Sequence, residues 1–85
     1  MTLHTLTQLA DRKALAQRRL GRQTNYRARQ QMRFLIAWYE WQQARHVLAL
    51  ANRLHTTRCR AYAMSNLNRA ARAMREQWQH LQRSV

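Results

Sequence analysis

The chain has 85 residues, of which 46% are hydrophobic, and its 16 Lys and Arg stand against three acidic residues, for a formal charge of +13. This length fits one small domain over residues 1–85 with a thin core, and the hydrophobic content argues against disorder. The apolar run 34–39 is far too short to span a bilayer, no signal peptide is indicated, and Cys59 is the single cysteine, so we expect a cytoplasmic protein.

Every predicted element is a helix, because the chain has no Pro, one Gly and an abundance of Ala, Arg, Gln and Leu. Helix 1 is predicted over about 6–20, where Thr5 and Gln8 form a capping box. Gly21 follows directly and suits the left-handed residue that ends many helices. The first predicted element is therefore short and closed at both ends.

Helix 2 is predicted over about 25–53, with Thr24 as its N-cap. Apolar residues recur at spacings of three and four from Phe34 to Ala51, which is the period of a helix face. The stretch 32–41 is apolar on nearly every side. Helix 2 is then either a central helix covered by its neighbours or the carrier of an exposed aromatic patch.

Helix 3 is predicted over about 58–83, with a second apolar seam from Met64 to Val85 that includes Trp78 as an expected core residue. The segment 55–60 has no aliphatic residue, which favours a turn. The sequence thus predicts an all-α fold in which helix 1 joins a long antiparallel hairpin as a three-helix bundle. The absence of Gly and Pro at the turn leaves an alternative, one long continuous helix in a coiled-coil oligomer, and a homodimer is as compatible with the sequence as a monomer.

Positive charge is concentrated along the chain. Eight basic residues and no acid lie between Arg12 and Arg33, and an antiparallel hairpin brings the end of helix 3 to the same place. Clustered arginines are the pattern expected of a protein that contacts the phosphate backbone of DNA or RNA, because their planar guanidinium groups pair with phosphate. The predicted nucleic-acid-binding residues are Arg18, Arg19, Arg22, Arg27, Arg29, Arg33, Arg72 and Arg83.

A helix-turn-helix around Gly21 is rejected, because the positions that must be small or apolar are Gln17, Arg22, Arg27 and Gln30. His55 and Cys59 have the i, i+4 spacing of metal ligands but lack further ligands, so we expect no metal or other cofactor and a small buried thiol at Cys59. The three acids are widely separated and no catalytic motif is present. We therefore expect no enzymatic activity.

The alternative function is that of a small regulator or inhibitor, of the type that phages and mobile elements encode, which binds an acidic surface of a partner protein. Aromatic and Arg side chains dominate the energetics of protein interfaces. The candidate partner-binding residues are Trp38, Tyr39 and Trp41, with arginines around them.

Overall fold

The computed structural model describes residues 3–54 and 57–83, which form the three helices α1 Leu3–Arg22, α2 Tyr26–Leu54 and α3 Thr57–Arg83. These residues contain no strand, so the predicted all-α class is confirmed. The predicted bounds differ from the observed ones by at most three residues, the largest difference being the earlier start of α1. His55 and Thr56, at the predicted turn, lie outside the described residues.

The junction between α1 and α2 differs from the predicted one. Gly21 lies inside α1, its φ is outside the left-handed region, and the helix continues to Arg22. The N-cap of α2 is Asn25 rather than Thr24: its Oδ1 accepts the backbone N–H of Ala28 at 3.0 Å. The chain therefore leaves α1 and enters α2 one or two residues later than the sequence predicts.

Because Gly21 has helical backbone and no heavy atom lies within 4 Å of a Cβ built on it, Gly21→Ala is expected to stabilise the fold by about 0.5–1 kcal/mol. Alanine reduces the freedom of the unfolded chain without adding strain. Urea unfolding followed by circular dichroism measures the difference. If Gly21→Ala instead lowers the free energy of unfolding, residue 21 has the left-handed conformation that the sequence suggested.

The central helix is α2. Within the described residues α1 and α3 each pack against α2 but not against each other, and the molecule measures 45 × 25 × 15 Å. Both neighbours run antiparallel to α2: Arg29 near its start contacts the end of α1, and Phe34 meets Trp78 in the second half of α3. The α2–α3 packing is consistent with the predicted hairpin, and the three helices form a bent layer.

The core is thin and made largely of alanine. Among the residues whose burial the structure describes, the buried hydrophobic ones are Leu9 and four alanines, and small side chains at these positions let the helices approach closely. Trp78 was expected in this core but is 47% exposed; its ring packs against Phe34 with centroids 5.3 Å apart and leaves its outer edge in solvent. The buried alanines are Ala16, Ala37, Ala51 and Ala63.

One polar side chain is buried among these apolar groups. Gln30 is 6% exposed, and its Oε1 accepts no hydrogen bond from the described part of the chain. An unsatisfied buried acceptor costs stability, so this residue adds to the marginal character of the core.

Within residues 3–54 and 57–83, no helix combines the length and the apolar character needed to cross a membrane.

Candidate nucleic-acid interface

Three helix termini meet at one end of the layer: the C-terminus of α1, the N-terminus of α2 and the C-terminus of α3. Arg29 shows the first meeting directly, because its Nη1 donates to the backbone oxygens of Leu20 at 3.2 Å and Gln23 at 3.0 Å. The contact between Phe34 and Trp78 places the last turns of α3 beside the first turns of α2. We call this region the basic end; its members are Arg18, Arg19, Arg22, Arg27, Arg29, Arg33 and Arg83.

The arginines of the basic end differ in accessibility. Arg33 is half-buried and lines a groove with Gln17 and Leu20 of α1. Arg29 is half-buried as well, and its guanidinium closes the end of α1, which makes part of its role structural. Exposed side chains occur at Arg18, Arg19, Arg22, Arg27 and Arg83.

Arg72 is not part of this end. It is exposed and lies about 16 Å back along α3 from Arg83, given the rise of the α-helix. Arg58 and Arg69 of the same helix are also exposed, and both line depressions between α2 and α3. Arg72 and the basic end are therefore separate.

No acidic residue occurs in the part of the sequence that forms most of the basic end. Asp11 lies in the first half of α1, Glu40 near the middle of α2, and Glu76 two turns before Arg83. Positive charge at the basic end is therefore weakly neutralised by the protein itself. Counterions or an acidic partner must balance it.

The predicted partner-binding aromatics are all partly buried. Trp38 and Tyr39 contact each other edge to face with centroids 5.3 Å apart, and the Arg45 guanidinium carbon lies 4.9 Å above the ring of Trp41. Part of each ring is thus already used within the molecule. The remaining exposed area is small for three aromatic side chains.

Tyr26 is an exposed aromatic residue that the sequence analysis did not single out. It is the first residue of α2, is 66% exposed, and lies at the basic end beside Asn25 and Arg27. The sequence does contain a signal for this exposure. Tyr26 lies about two turns before Phe34, where the apolar seam of α2 begins, so the periodicity does not predict that its side chain is buried. Its ring offers a flat surface within the positive field.

The expectation of a buried thiol is wrong, because Cys59 is exposed at the start of α3. Within the described residues no three or more His, Cys, Asp or Glu side chains are grouped as metal ligands. His55 lies outside those residues.

Comparison of the chain with protein-family models, with curated proteins and with solved structures gave no match.

Proposed function

We propose that this protein binds nucleic acid, mainly through phosphate contacts at the basic end. The observation that carries the proposal is the convergence of seven arginines from three helix termini on one end of a small molecule. Each arginine that neutralises a phosphate releases condensed counterions, which provides most of the affinity of non-specific binders. Guanidinium groups also bind phosphate oxygens in a bidentate manner.

The size of the end supports this proposal. The cross-section of the molecule is 25 × 15 Å. Its longer side equals the rise of about seven base pairs of duplex, so several phosphates can be contacted at once. Tyr26 adds an exposed ring on which an unpaired base can stack. The proposal covers DNA and RNA, and the contrast between duplex and single strand is part of its test.

The test is a salt titration of binding, measured by fluorescence anisotropy with a labelled 20-nucleotide single strand and the corresponding duplex. With five exposed arginines at the basic end, the logarithm of the duplex affinity is expected to fall against the logarithm of salt with a slope of about −4.5. Affinity should depend little on sequence. Absence of binding to both probes at low salt and micromolar protein contradicts the proposal.

The second candidate function is a regulator that docks on an acidic protein surface through Trp38, Tyr39 and Trp41. Its support is the cation–π contact between Arg45 and Trp41, which presents a charged and an aromatic group together at the surface. A single partner protein that remains bound in stoichiometric amount after nuclease treatment, and is lost on Trp38→Ala, would favour this candidate.

We propose that the protein binds nucleic acid as an α2–α3 hairpin with α1 packed on α2, either as a monomer or as a homodimer. A continuous helix from Tyr26 to Arg83 would be about 90 Å long, twice the 45 Å of the layer. Small-angle X-ray scattering gives the maximum dimension, which distinguishes the compact layer from the continuous helix. Light scattering gives the mass, which distinguishes the monomer from the homodimer.

A further inference from the structure

The two ends of the molecule differ, because α1 is shorter than α2 and α3. α1 has 20 residues, whereas α2 has 29 and α3 has 27. α1 ends at the basic end and runs antiparallel to α2, along only part of its length. Within the described residues α1 packs on α2 and not on α3, so no third helix lies against the first turns of α3.

An apolar groove lies between the two helices at this uncovered end. It encloses about 510 Å³ and is open to solvent. Two of its lining residues are large and well exposed, Val47 at 41% and Tyr62 at 69%. We call it the turn-end groove; apart from Arg58, its lining residues are Val47, Leu50, Ala51, Cys59, Tyr62 and Ala63.

The groove continues toward the middle of the hairpin. Val47 also lines the adjoining depression, together with Glu40 on α2 and with Asn66 and Arg69 on α3. The guanidinium of Arg69 donates a hydrogen bond to Oδ1 of Asn66 at the edge of this depression. The whole feature is thus elongated along the helices, as a docked helix requires.

The charges at the edge of the groove identify the occupant. Arg58 and Arg69 border it on α3, and its one acidic neighbour, Glu40, lies at the far end. A second copy of this chain would bring a charge of +13 against +13, so self-association here is opposed electrostatically. A helix with acidic residues along its flanks is attracted by these two arginines.

We propose that the turn-end groove is a docking site for an amphipathic helix of a partner protein, with apolar residues on one face and Asp or Glu along its flanks. The apolar face lies against Val47, Leu50 and Tyr62, and the acidic flank pairs with Arg58 and Arg69. An amphipathic helix in an apolar groove between two helices is a common mode of peptide recognition. The site is distinct from the basic end and does not rest on nucleic-acid binding.

The probe is a labelled synthetic 18-residue helix with Leu at positions i, i+3, i+4 and i+7 and Glu on both flanks. Its binding to the full chain is measured by anisotropy at physiological salt. The same peptide with Lys in place of every Glu is expected to bind at least about tenfold more weakly, because it reverses the complementary charge. Equal binding of the two peptides would overturn the proposal.

Variants locate the site. Tyr62→Ser is expected to weaken binding of the acidic peptide about tenfold, and Arg58→Gln about threefold to fivefold. Arg60→Gln is the matched control: it removes the same charge two residues away, at an exposed position that does not line the groove. All three side chains are exposed, so none of the changes removes a buried group, and thermal melts check the fold.

Three results overturn the proposal. The first is an equal effect of Arg58→Gln and Arg60→Gln, which would mean attraction to overall charge. The second is a homodimer of the wild type that Tyr62→Ser dissociates, which would assign the groove to a second copy. The third is a loss of oligonucleotide binding in Tyr62→Ser, which would assign it to nucleic acid; unchanged oligonucleotide binding keeps the two sites separate.

Discussion

Replacing Arg22, Arg27 and Arg83 together with Gln is expected to weaken oligonucleotide binding about tenfold to a hundredfold at physiological salt. The salt slope for the duplex should become shallower by about 2.7, since each lost phosphate contact removes about 0.9. The three residues come from three different helices and are exposed at the same end. Anisotropy titrations at four or more salt concentrations measure both quantities.

The matched control replaces Arg45, Arg53 and Arg60 with Gln. These side chains are also exposed, and they lie in the half of the hairpin nearer the turn. Both triple variants lower the formal charge from +13 to +10. Because Arg45 also contacts the ring of Trp41, thermal melts check the fold of the control variant. If they lose equal affinity, the whole positive surface binds and the basic end has no special role.

The variant Arg29→Gln is expected to destabilise the fold by about 2 kcal/mol. The guanidinium of Arg29 donates to the backbone oxygens of Leu20 and Gln23, and hydrogen bonds from a charged donor contribute about 1.5–3 kcal/mol. Without this donor, the backbone oxygen of Gln23 loses the bond from Arg29, and that of Leu20 keeps the bond from the backbone N–H of Gln23. Urea unfolding monitored by circular dichroism gives the free energy.

Arg27→Gln is the control for that measurement, because it removes the same charge from an exposed side chain two residues away. Its effect on stability should stay within about 0.5 kcal/mol, as for other surface substitutions. A similar stability for the two variants would show that Arg29 does not hold α1. Because the charge change is the same, a comparison of their oligonucleotide affinities then separates the structural role of Arg29 from its part in binding.

The positions of the helices could be predicted because they follow from information spread over many residues. The apolar periodicity from Phe34 to Ala51 and the absence of Pro favour helix throughout, and no single residue decides the result. The convergence of the arginines also followed from the sequence, since an antiparallel hairpin brings Arg83 toward Arg27. Arg72 does not join them, because it lies about three turns of α3 before Arg83.

The sequence-based predictions are wrong where the local structure depends on one residue or on one tertiary contact. Gly21 and Thr24 both have the chemistry of helix ends, yet the guanidinium of Arg29, nine residues beyond Leu20, closes α1. That contact depends on how α1 docks and leaves no local signal. Asn25 is as good a cap as Thr24, and the sequence offers no way to choose between adjacent candidates.

Burial at the hairpin could not be read from the periodicity either. Trp78 and Cys59 were expected inside, but a seam identifies only the side of a helix that faces its neighbour. Whether that side is then covered depends on a third element. The turn-end groove is open for the same reason, because within the described residues no third helix packs against α3.

The attachment of α1 to a single neighbour has a consequence for the energetics of the chain. Within the described residues only α2 holds α1, so its release leaves the α2–α3 packing intact. Such a local opening needs less free energy than global unfolding, and it frees the surface that covers Leu9 and Ala16. We therefore expect the fold to behave as two units of unequal stability, with the arginines of α1 on the unit that opens first.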